Sequence, residues 1–301
     1  MAKVSVIIPA RGERFLAQTI DDLFSKAAGE IEVIAVLDGY WPDPPLVDRQ
    51  GLTIIHRGAA RGMRQAINAA AQVARGEYLM KTDAHCMFAP GFDVALSANC
   101  DGDWMVIPSR YSLDAENWDI LQTGKSRVDY HYLSCPITGL KERGDYTMHG
   151  VQWNDRARQR RDKPEFDIDD EMSFQGSCWF MSAGHFRNFL GGMDETGYGT
   201  FSQEPQEVGN KTWLGGGRVT VNKKTWYAHL HKGKQYGRGY SIGKREIEHG
   251  HVYSAVYWMG NKWAKRAHDL EWLIDKFWPV PDWPTDWKAI HASGFNPDYS
   301  Y

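Results

Sequence analysis

Residues 76–86 read GEYLMKTDAHC, and this stretch decides the fold class that the sequence predicts. Glu77–Lys81 has the composition of a buried strand, which runs into Thr82-Asp83-Ala84-His85. In α/β proteins, ligands bind at the carboxyl ends of parallel strands, so a carboxylate at such an end indicates a site. The stretch therefore predicts an α/β fold with Asp83 at the edge of its sheet.

The residues before this stretch alternate between strand and helix patterns. The predicted strands are Val4–Pro9, Ile31–Leu37 and Leu52–His56, and the predicted helices are Phe15–Ala28 and Gly62–Ala74. Continuous apolar runs are typical of strands that are buried on both faces. The alternation predicts a Rossmann-like half with a mostly parallel sheet. Asp38 follows the second strand and is expected at the same edge as Asp83.

The second half of the chain predicts more strands, a helix and a C-terminal extension. Strands are predicted at Met105–Pro108, Gln175–Ser182 and Val219–Tyr227, and a helix at Glu204–Leu214. Gly233–Gly243 combines four glycines with basic and aromatic residues, which is the composition of a mobile lid. Residues 245–278 predict helix, and the residues after them, rich in Pro and Trp, predict an extended tail packed on the body.

The bulk composition excludes several classes of protein. The chain has 301 residues, 42% of them hydrophobic, which is enough for a large core. No run approaches the roughly 18 apolar residues that cross a bilayer, and the first residues resemble a strand rather than a secretory signal. We therefore expect a cytoplasmic protein without a membrane partner. The four cysteines lack CxxC spacing, which predicts reduced, buried thiols instead of a zinc site or disulfides.

The charge distribution is uneven along the chain. From Lys211 to Arg266 there are twelve Lys and Arg but two acids, Glu246 and Glu248. A charged run is often a solvated face. Because aromatic residues such as Trp226 and Tyr236 are interleaved with these cations, the segment also has the composition of a surface that binds a polyanion.

The triplet Asp83-Ala84-His85 has the chemistry of a metal site. In extended backbone, residues two positions apart project to the same side, so both side chains can reach one ion. A carboxylate with an imidazole suits Mn²⁺ (or Mg²⁺) better than Ca²⁺. Alone, such a triplet has little specificity.

The context of the triplet resembles a known family. Gly62–Cys86 is similar to the nucleotide-binding half of family-2 glycosyltransferases of the GT-A fold. The ending Asp83-Ala84-His85-Cys86 looks like that of the polypeptide N-acetylgalactosaminyltransferases. Further along, Glu204-Pro205-Gln206-Glu207, Trp213, Gly216-Gly217 and Ala228-His229 follow the spacing of that second family. The chain also resembles small glycosyltransferases that bacteriophages encode.

The resemblance implies a domain organisation. Residues 1–232 would form the GT-A catalytic domain, with a nucleotide-binding half at 1–100 and an acceptor half at 101–232. Residues 233–301 would add a basic lid, helices and the Trp- and Pro-rich tail.

The resemblance also implies site residues. Donor-binding roles fall on Pro9, Ala10, Arg11, Asp38, Arg64 and Asp83. The metal ligands would be Asp83, His85 and His229, with His231 an alternative to His229. Catalytic roles fall on Glu204 and Glu207, although Glu207 is also consistent with a solvated helix residue and Asp38 with a turn residue. The acceptor wall and lid would hold Gly176, Ser177, Trp179, Lys232, Lys234, Tyr236 and Arg238.

These features together predict a metal-dependent glycosyltransferase with a UDP-sugar donor and a divalent cation, Mn²⁺ or Mg²⁺. In the resemblance, inverting family-2 enzymes carry an aspartate that acts as the general base at the position of Pro205. Because proline cannot take a proton, retention of anomeric configuration is favoured. The leading acceptor is a 5-hydroxymethyl-pyrimidine base such as hydroxymethylcytosine in phage DNA, and the alternative is a glycan or surface polysaccharide. A sugar nucleotidyltransferase and a non-catalytic nucleotide-sugar binder are less favoured. The oligomeric state stays open.

Overall fold

The computed structural model describes residues 4–122, 127–136 and 147–292, without the side chains of Lys234 and Ile290. A ten-stranded sheet runs through these residues. Along its central path the strands lie in the order β10 (Ile168–Asp170), β12 (Arg218–His229), β6 (Trp104–Asp114), β11 (Cys178–Ser182), β4 (Tyr78–Thr82), β1 (Val4–Ala10), β2 (Ile31–Asp38) and β3 (Leu52–Arg57). In addition, β5 (Cys86–Phe88) pairs with β12, and β7 (Asp119–Ile120) pairs with β6. A two-stranded sheet of β8 and β9 lies beside it.

The first half of the sheet is parallel. Its strands are β1 (Val4–Ala10), β2 (Ile31–Asp38), β3 (Leu52–Arg57) and β4 (Tyr78–Thr82). β1 lies between β2 and β4, and β2 pairs with β3, all in parallel register. The predicted strands are confirmed, and each observed end lies within one residue of the predicted end. Since all four strands point the same way, Asp38 and Asp83 lie at one edge.

The second half of the sheet mixes directions. Its strands are β5 (Cys86–Phe88), β6 (Trp104–Asp114), β7 (Asp119–Ile120), β10 (Ile168–Asp170), β11 (Cys178–Ser182) and β12 (Arg218–His229). β11 is antiparallel to β4 and β6, whereas β12 is parallel to β6. The predicted strand at 175–182 begins only at Cys178, because Gln175–Ser177 line the cavity described below. The small sheet contains β8 (His131–Leu133) and β9 (Gly150–Gln152).

Helices cover both faces of the main sheet. On one face, α1 (Leu16–Lys26) and α3 (Phe92–Ser97) pack with β1 and β2. Their contacting residues are Leu16, Ile20, Leu23, Phe92 and Leu96. α2, α5, α7 and α8 contribute to a larger core on the other face. The helical bounds are α1 (Leu16–Lys26), α2 (Met63–Val73), α3 (Phe92–Ser97), α4 (Asn154–Gln159), α5 (Glu204–Leu214), α6 (Gly233–Tyr236), α7 (Lys244–Met259), α8 (Leu270–Phe277) and α9 (Trp287–Ala292).

The C-terminal extension shares the core of the sheet. Trp258, Leu273, Trp283 and Trp287 belong to the same buried cluster as Trp213 of α5. The indole Nε1 of Trp283 donates to the Leu133 carbonyl at 2.7 Å. The single helix predicted over 245–278 is two helices, which residues 260–269 separate. The predicted extended tail contains the short helix α9, and its last nine residues lie outside the described ones.

Two further expectations meet the structure here. All four cysteines are unpaired and buried, as their spacing predicts. Within the described ranges, no helix combines the length and apolar character that crossing a membrane requires.

Candidate active site

A cavity of about 930 Å³ opens at the carboxyl ends of the parallel strands. Pro9, Ala10, Asp38 and Asp83, each at a strand end, form one wall, and the start of α5 forms the opposite wall. Residues 237–242 contribute Arg238, Tyr240 and Ile242 to the lining. The cavity therefore lies where parallel α/β sheets bind their ligands.

Asp83, His85 and His229 form the cluster that the sequence predicts. One ligating atom of each lies within 4.8 Å of the other two. Nε2 of His229 is 3.3 Å from Oδ2 of Asp83, and Nε2 of His85 is 3.9 Å from the same oxygen. The antiparallel pairing of His229 with Cys86, at the end of β12, brings the third residue to the triplet. His229 belongs to the cluster and the alternative His231 does not.

The imidazole of His229 has the properties of a ligand. It is buried, and neither ring nitrogen forms a hydrogen bond among the described residues. Burial lowers the pKa of His229 to about 3, with Asp83 opposing and His85 adding to the shift. The ring is therefore neutral at physiological pH, the form that coordinates metals. Buried polar atoms without partners are rare in folded proteins, so these nitrogens point to a missing ligand.

Glu13 is a residue of the site that sequence reasoning missed. Its Oε2 lies 3.2 Å from Nδ1 of His85, and both carboxylate oxygens accept from Nζ of Lys232 at 2.7 Å. Burial opposes ionisation of Glu13, but His85 and Lys232 outweigh it and lower its pKa. A carboxylate behind a metal-binding histidine fixes the ring orientation and its tautomer. The signal available in the sequence was an acid shortly after β1.

Lys81 is the second residue that was missed. Its buried ammonium donates to Oδ1 of Asp83 at 2.8 Å, to the Gly176 carbonyl at 2.5 Å and to Oε2 of Glu204 at 3.1 Å. Burial disfavours its charge, but Asp83 and Glu204 outweigh burial and raise the pKa of Lys81. Lys81 thus stays charged and leaves Oδ2 of Asp83 facing the two imidazoles.

The ionisation of Asp83 follows from the same contacts. Burial would raise its pKa, but Lys81 and the imidazoles of His229 and His85 hold the pKa of Asp83 well below its usual range. The carboxylate therefore carries its charge at any physiological pH. An ionised carboxylate with two imidazole nitrogens is a donor set that suits a divalent cation.

Glu204 lies at the first position of α5 and lines the cavity. Its Oε1 accepts from the indole Nε1 of Trp179 at 2.6 Å, while Oε2 accepts from Lys81. Burial raises the pKa of Glu204, and Lys81 opposes the shift. A Cβ at Gly176 would stand 3.0 Å from Oε2 of Glu204, so only glycine fits without displacing that carboxylate.

Glu207 and Arg64 do not line the cavity, which corrects the roles predicted for them. Arg64 donates to Oε2 of Glu207, and Oε1 of Glu207 accepts from Nζ of Lys211 at 2.6 Å and from the Asp194 amide at 2.8 Å. The Arg64 guanidinium also donates to the Ser202 carbonyl. Both side chains are almost fully buried, so they tie α2 to α5 instead of facing donor or acceptor.

The other predicted donor residues surround the cavity. Pro9, Ala10, Arg11 and Asp38 contribute to its lining. Both carboxylate oxygens of Asp38 accept backbone amides, from Arg61 at 2.9 Å and from Gly62 at 2.8 Å. Asp38 therefore orders the loop before α2, in addition to presenting its remaining lone pairs to the cavity.

The predicted acceptor and lid residues divide into two groups. Gly176, Ser177, Lys232 and Arg238 line the cavity. Trp179 is fully buried behind Glu204, and Tyr236 packs on Phe15 and donates to Glu116 at 2.8 Å, so neither forms the wall that was predicted. The side chain of Lys234 lies outside the described residues.

The basic segment 211–266 offers less free charge than its composition indicates. Five of its twelve cations are engaged in ion pairs, namely Lys211 with Glu207, Arg218 with Asp170, Lys232 with Glu13, Lys244 with Glu248 and Arg266 with Asp269. Lys265 donates to the carbonyls of Asn188 and Phe189 at 3.1 and 2.7 Å. The sequence could not show these partners, because most lie outside the segment.

The structure thus combines an α/β fold, a cavity at the carboxyl ends of its parallel strands, and a cluster of three side chains that could hold a metal ion. A model of the glycosyl transferase family 2 matches residues 5–162, more than half of the chain. The chain belongs to glycosyl transferase family 2. No curated protein sequence matches it significantly.

Solved structures share the fold. The structure of GalNAc-T7 with UDP, GalNAc and Mn²⁺ has a TM-score of 0.66 at 16% identity, covering 86% of this chain and 49% of that one. The structure of S. aureus TarS 1-349 in complex with UDP-GlcNAc has a TM-score of 0.51 at 13% identity, covering 81% of this chain and 63% of that one. The chain thus spans about half the length of the first of these proteins and less than two thirds of the second. The likeness establishes the predicted GT-A fold.

Proposed function

We propose that this protein is a metal-dependent glycosyltransferase that moves a sugar from a nucleoside diphosphate donor to a hydroxyl group. The observation that carries the proposal is the cluster of Asp83, His85 and His229 inside the cavity, with the unsatisfied ring nitrogens of His229. A cluster at this edge of the sheet lies where the diphosphate of a donor would reach.

Asp83, His85 and His229 are assigned as the ligands of a divalent cation, with Mn²⁺ as the first choice and Mg²⁺ as the second. When bound, such a cation supplies charge that stabilises the departing diphosphate. Glu13 holds the ring of His85, and Lys81 holds Asp83. Both contacts fix the ligands before a metal arrives, which lowers the entropic cost of binding.

The donor is assigned to the wall of Pro9, Ala10, Arg11 and Asp38, and UDP is the proposed nucleotide. Two proteins that share the fold are described with UDP and with UDP-GlcNAc, which supports this choice. The Arg11 guanidinium lies 4.6 Å from the ring centre of Tyr240, so the segment 237–242 contacts the donor wall across the cavity. We infer that this segment closes over the bound donor.

Retention of anomeric configuration is the proposed outcome. An inverting reaction requires a base that takes the proton of the attacking hydroxyl, and Pro205 cannot take a proton. Both oxygens of Glu204 already accept hydrogen bonds, from Trp179 and Lys81. Glu207 is sealed in its ion pair with Arg64. Glu204 is therefore proposed to orient sugar or acceptor hydroxyls.

The acceptor is proposed to be the hydroxymethyl group of a modified pyrimidine in DNA, with a glycan or surface polysaccharide as the alternative. Interleaved aromatic and basic residues support the first proposal. The ion pairs of the basic segment reduce that support. A phage origin and a cytoplasmic location stay predictions.

Donor hydrolysis tests the transferase proposal without knowledge of the acceptor. The 301-residue chain is incubated with UDP- and GDP-sugars, with Mn²⁺ or with a chelator, and the released nucleoside diphosphate is measured. We expect slow release from a UDP-sugar that stops when the metal is removed and returns when Mn²⁺ is added. Equal release with and without the chelator would contradict the metal assignment, and no release from any donor would favour the non-catalytic binder.

The acceptor is identified by mass spectrometry. Duplexes that contain hydroxymethylcytosine, matched duplexes with cytosine, and a panel of oligosaccharides are each incubated with donor and Mn²⁺. A mass gain of one sugar on the hydroxymethylated duplex alone supports the DNA acceptor. Elongation of an oligosaccharide with no gain on either duplex excludes it.

A further inference from the structure

A second cavity adjoins the first on the acceptor side. Its volume is about 320 Å³, and it shares Gln175, Gly176, Gln206 and His231 with the main cavity. Arg110 of β6 and His131 of β8 line the second cavity and not the first. Because Gly176 lies against Glu204, the second cavity begins beside the carboxylate that faces the sugar.

Arg110 is the dominant charge of this second cavity. Its side chain is 5% exposed, and its Nε has no hydrogen-bond partner among the described residues. One side-chain contact is resolved, from Nη1 to Nε2 of His231 at 3.1 Å. No carboxylate of the described chain lies within ion-pair distance of this guanidinium. A buried charge without a counterion is costly, so its retention points to an anion that is supplied from outside.

The groups around Arg110 do not supply that anion. The nearby carboxyl of Glu171 is bound to Nδ1 of His131 at 2.9 Å, and burial, with Asp129 adding, raises the pKa of Glu171 well above its usual value. Burial, with Arg110 adding, lowers the pKa of His131 to about 3. Oε1 of Glu171 is thus taken by His131, and no ion pair joins Glu171 to Arg110. Asp129 is occupied by Ser109 at 2.6 Å and by Arg127 at 2.9 Å.

We propose that the second cavity is an acceptor subsite in which Arg110 binds an anionic group, a phosphate or a carboxylate, that the acceptor carries near its reactive hydroxyl. This inference rests on the proposed function, because it assigns the acceptor side of the same site. Arginine binds both kinds of anion through two parallel hydrogen bonds. His131 and His231, which line the same cavity, add hydrogen-bonding groups around the anion.

Anion titration tests the subsite independently of catalysis. Sodium sulfate, a tetrahedral dianion like phosphate, and sodium acetate are titrated calorimetrically into the full-length protein with Mn²⁺ and UDP present to fill the donor site. The titrations are repeated with Arg110→Gln, and with Arg161→Gln as a matched control, since Arg161 is exposed. We expect the Arg110 variant to bind at least about tenfold more weakly, because a charged hydrogen-bonded contact is lost.

Each outcome decides a point. Loss of sulfate binding alone assigns a phosphate group to the acceptor, and loss of acetate binding alone assigns a carboxylate. Equal binding by the wild type and Arg110→Gln, or no anion binding by the wild type, overturns the subsite. If Arg110→Gln does not fold, Arg110→Lys replaces it. Several-fold weaker binding by that variant supports the subsite and unchanged binding contradicts it, because lysine cannot form the two-pronged contact.

The result is separable from the proposed function. If the wild type hydrolyses donor but shows no anion binding that depends on Arg110, the subsite proposal is contradicted and the proposed function is not. Anion binding that depends on Arg110, in a protein that hydrolyses no donor, leaves the subsite in place and removes the transferase proposal.

Discussion

Two clusters of charged side chains contact the first turn of α5, one at Glu207 and one at Glu204 through Lys81, and they differ in how many of their polar atoms have hydrogen-bond partners. Around Glu207, both carboxylate oxygens are bound, by Arg64, Lys211 and a backbone amide. At the strand ends, His229 has two ring nitrogens without hydrogen bonds. Both oxygens of Glu207 are bound, so the first cluster is called complete here, although Nε of Arg64 has no hydrogen-bond partner. The second is called incomplete, because neither ring nitrogen of His229 forms a hydrogen bond. Whether the buried carboxylate or imidazole atoms already have hydrogen-bond partners therefore distinguishes a structural ion-pair cluster from a binding site.

Asp83→Asn should have the largest effect, and it tests the incomplete cluster. The substitution removes the carboxylate charge of the triplet, and a metal contributes several kcal/mol to such reactions, so donor hydrolysis should fall about a thousandfold. The measurement is the rate of nucleotide release with saturating Mn²⁺. Asp48→Asn, at an exposed position, is the control. Turnover within tenfold of the wild type would contradict the assignment of Asp83 as a metal ligand, and the two clusters would no longer differ in function.

Glu207→Gln tests the complete cluster. Removing the carboxylate leaves Arg64 buried without its partner, which typically costs about 3–5 kcal/mol of unfolding free energy. Chemical denaturation measures this loss, and the expected result is a clear destabilisation with donor hydrolysis retained in the folded fraction. A stable variant that has lost its turnover would instead assign a catalytic role to Glu207.

Glu13→Gln sharpens the comparison, because Glu13 joins the incomplete cluster to Lys232. The substitution removes the charge that orients His85, and such partners typically contribute about 10–100-fold to metal affinity. Titration of Mn²⁺ against donor hydrolysis measures the shift, and full turnover should return at high Mn²⁺. Glu165→Gln, at an exposed position, provides the matched control. An unchanged Mn²⁺ dependence would remove Glu13 from the site.

Gly239→Ala should have the smallest effect, on the segment that covers the incomplete cluster. A Cβ at this position would stand 2.9 Å from the Gly12 carbonyl oxygen, so the segment must move away from the donor wall. A crowded contact of this kind costs about 1 kcal/mol, or about fivefold in the KM for donor. Gly243→Ala is the control, since its nearest atom would be 3.9 Å away. Equal KM values for the two variants would show that the segment does not contact the donor.

The first turn of α5 shows how far a sequence pattern predicts a site. The helix over Glu204–Leu214 was predicted with its observed bounds. The same spacing placed both Glu204 and Glu207 in the site, although only Glu204 lines the cavity. Helical periodicity puts the two residues near one another, but it does not determine which of them meets a buried arginine.

Asp83 and His85 were predicted as a ligand pair because they follow a strand end, whereas His229 was predicted from the family resemblance. Asp83 and His85 lie two positions apart after a buried strand, and His229 ends a strand that pairs with β5. Glu13 and Lys232, in contrast, lie 219 positions apart and meet through two hydrogen bonds of 2.7 Å. No local pattern marks such a pair, because neither residue has a distinctive neighbour in sequence.

The sequence by itself determined the strand and helix alternation, the edge of the sheet that holds Asp38 and Asp83, and the placement of Asp83 and His85 on one side of extended backbone. These properties follow from periodicity and from the geometry of extended backbone, which act over a few residues. Only the tertiary structure decided which charges are neutralised: Glu207 is paired with Arg64 and Lys211, whereas Arg110 forms no ion pair with the described residues. Burial and ion pairing depend on distant residues that meet in space, so only the folded chain fixes them.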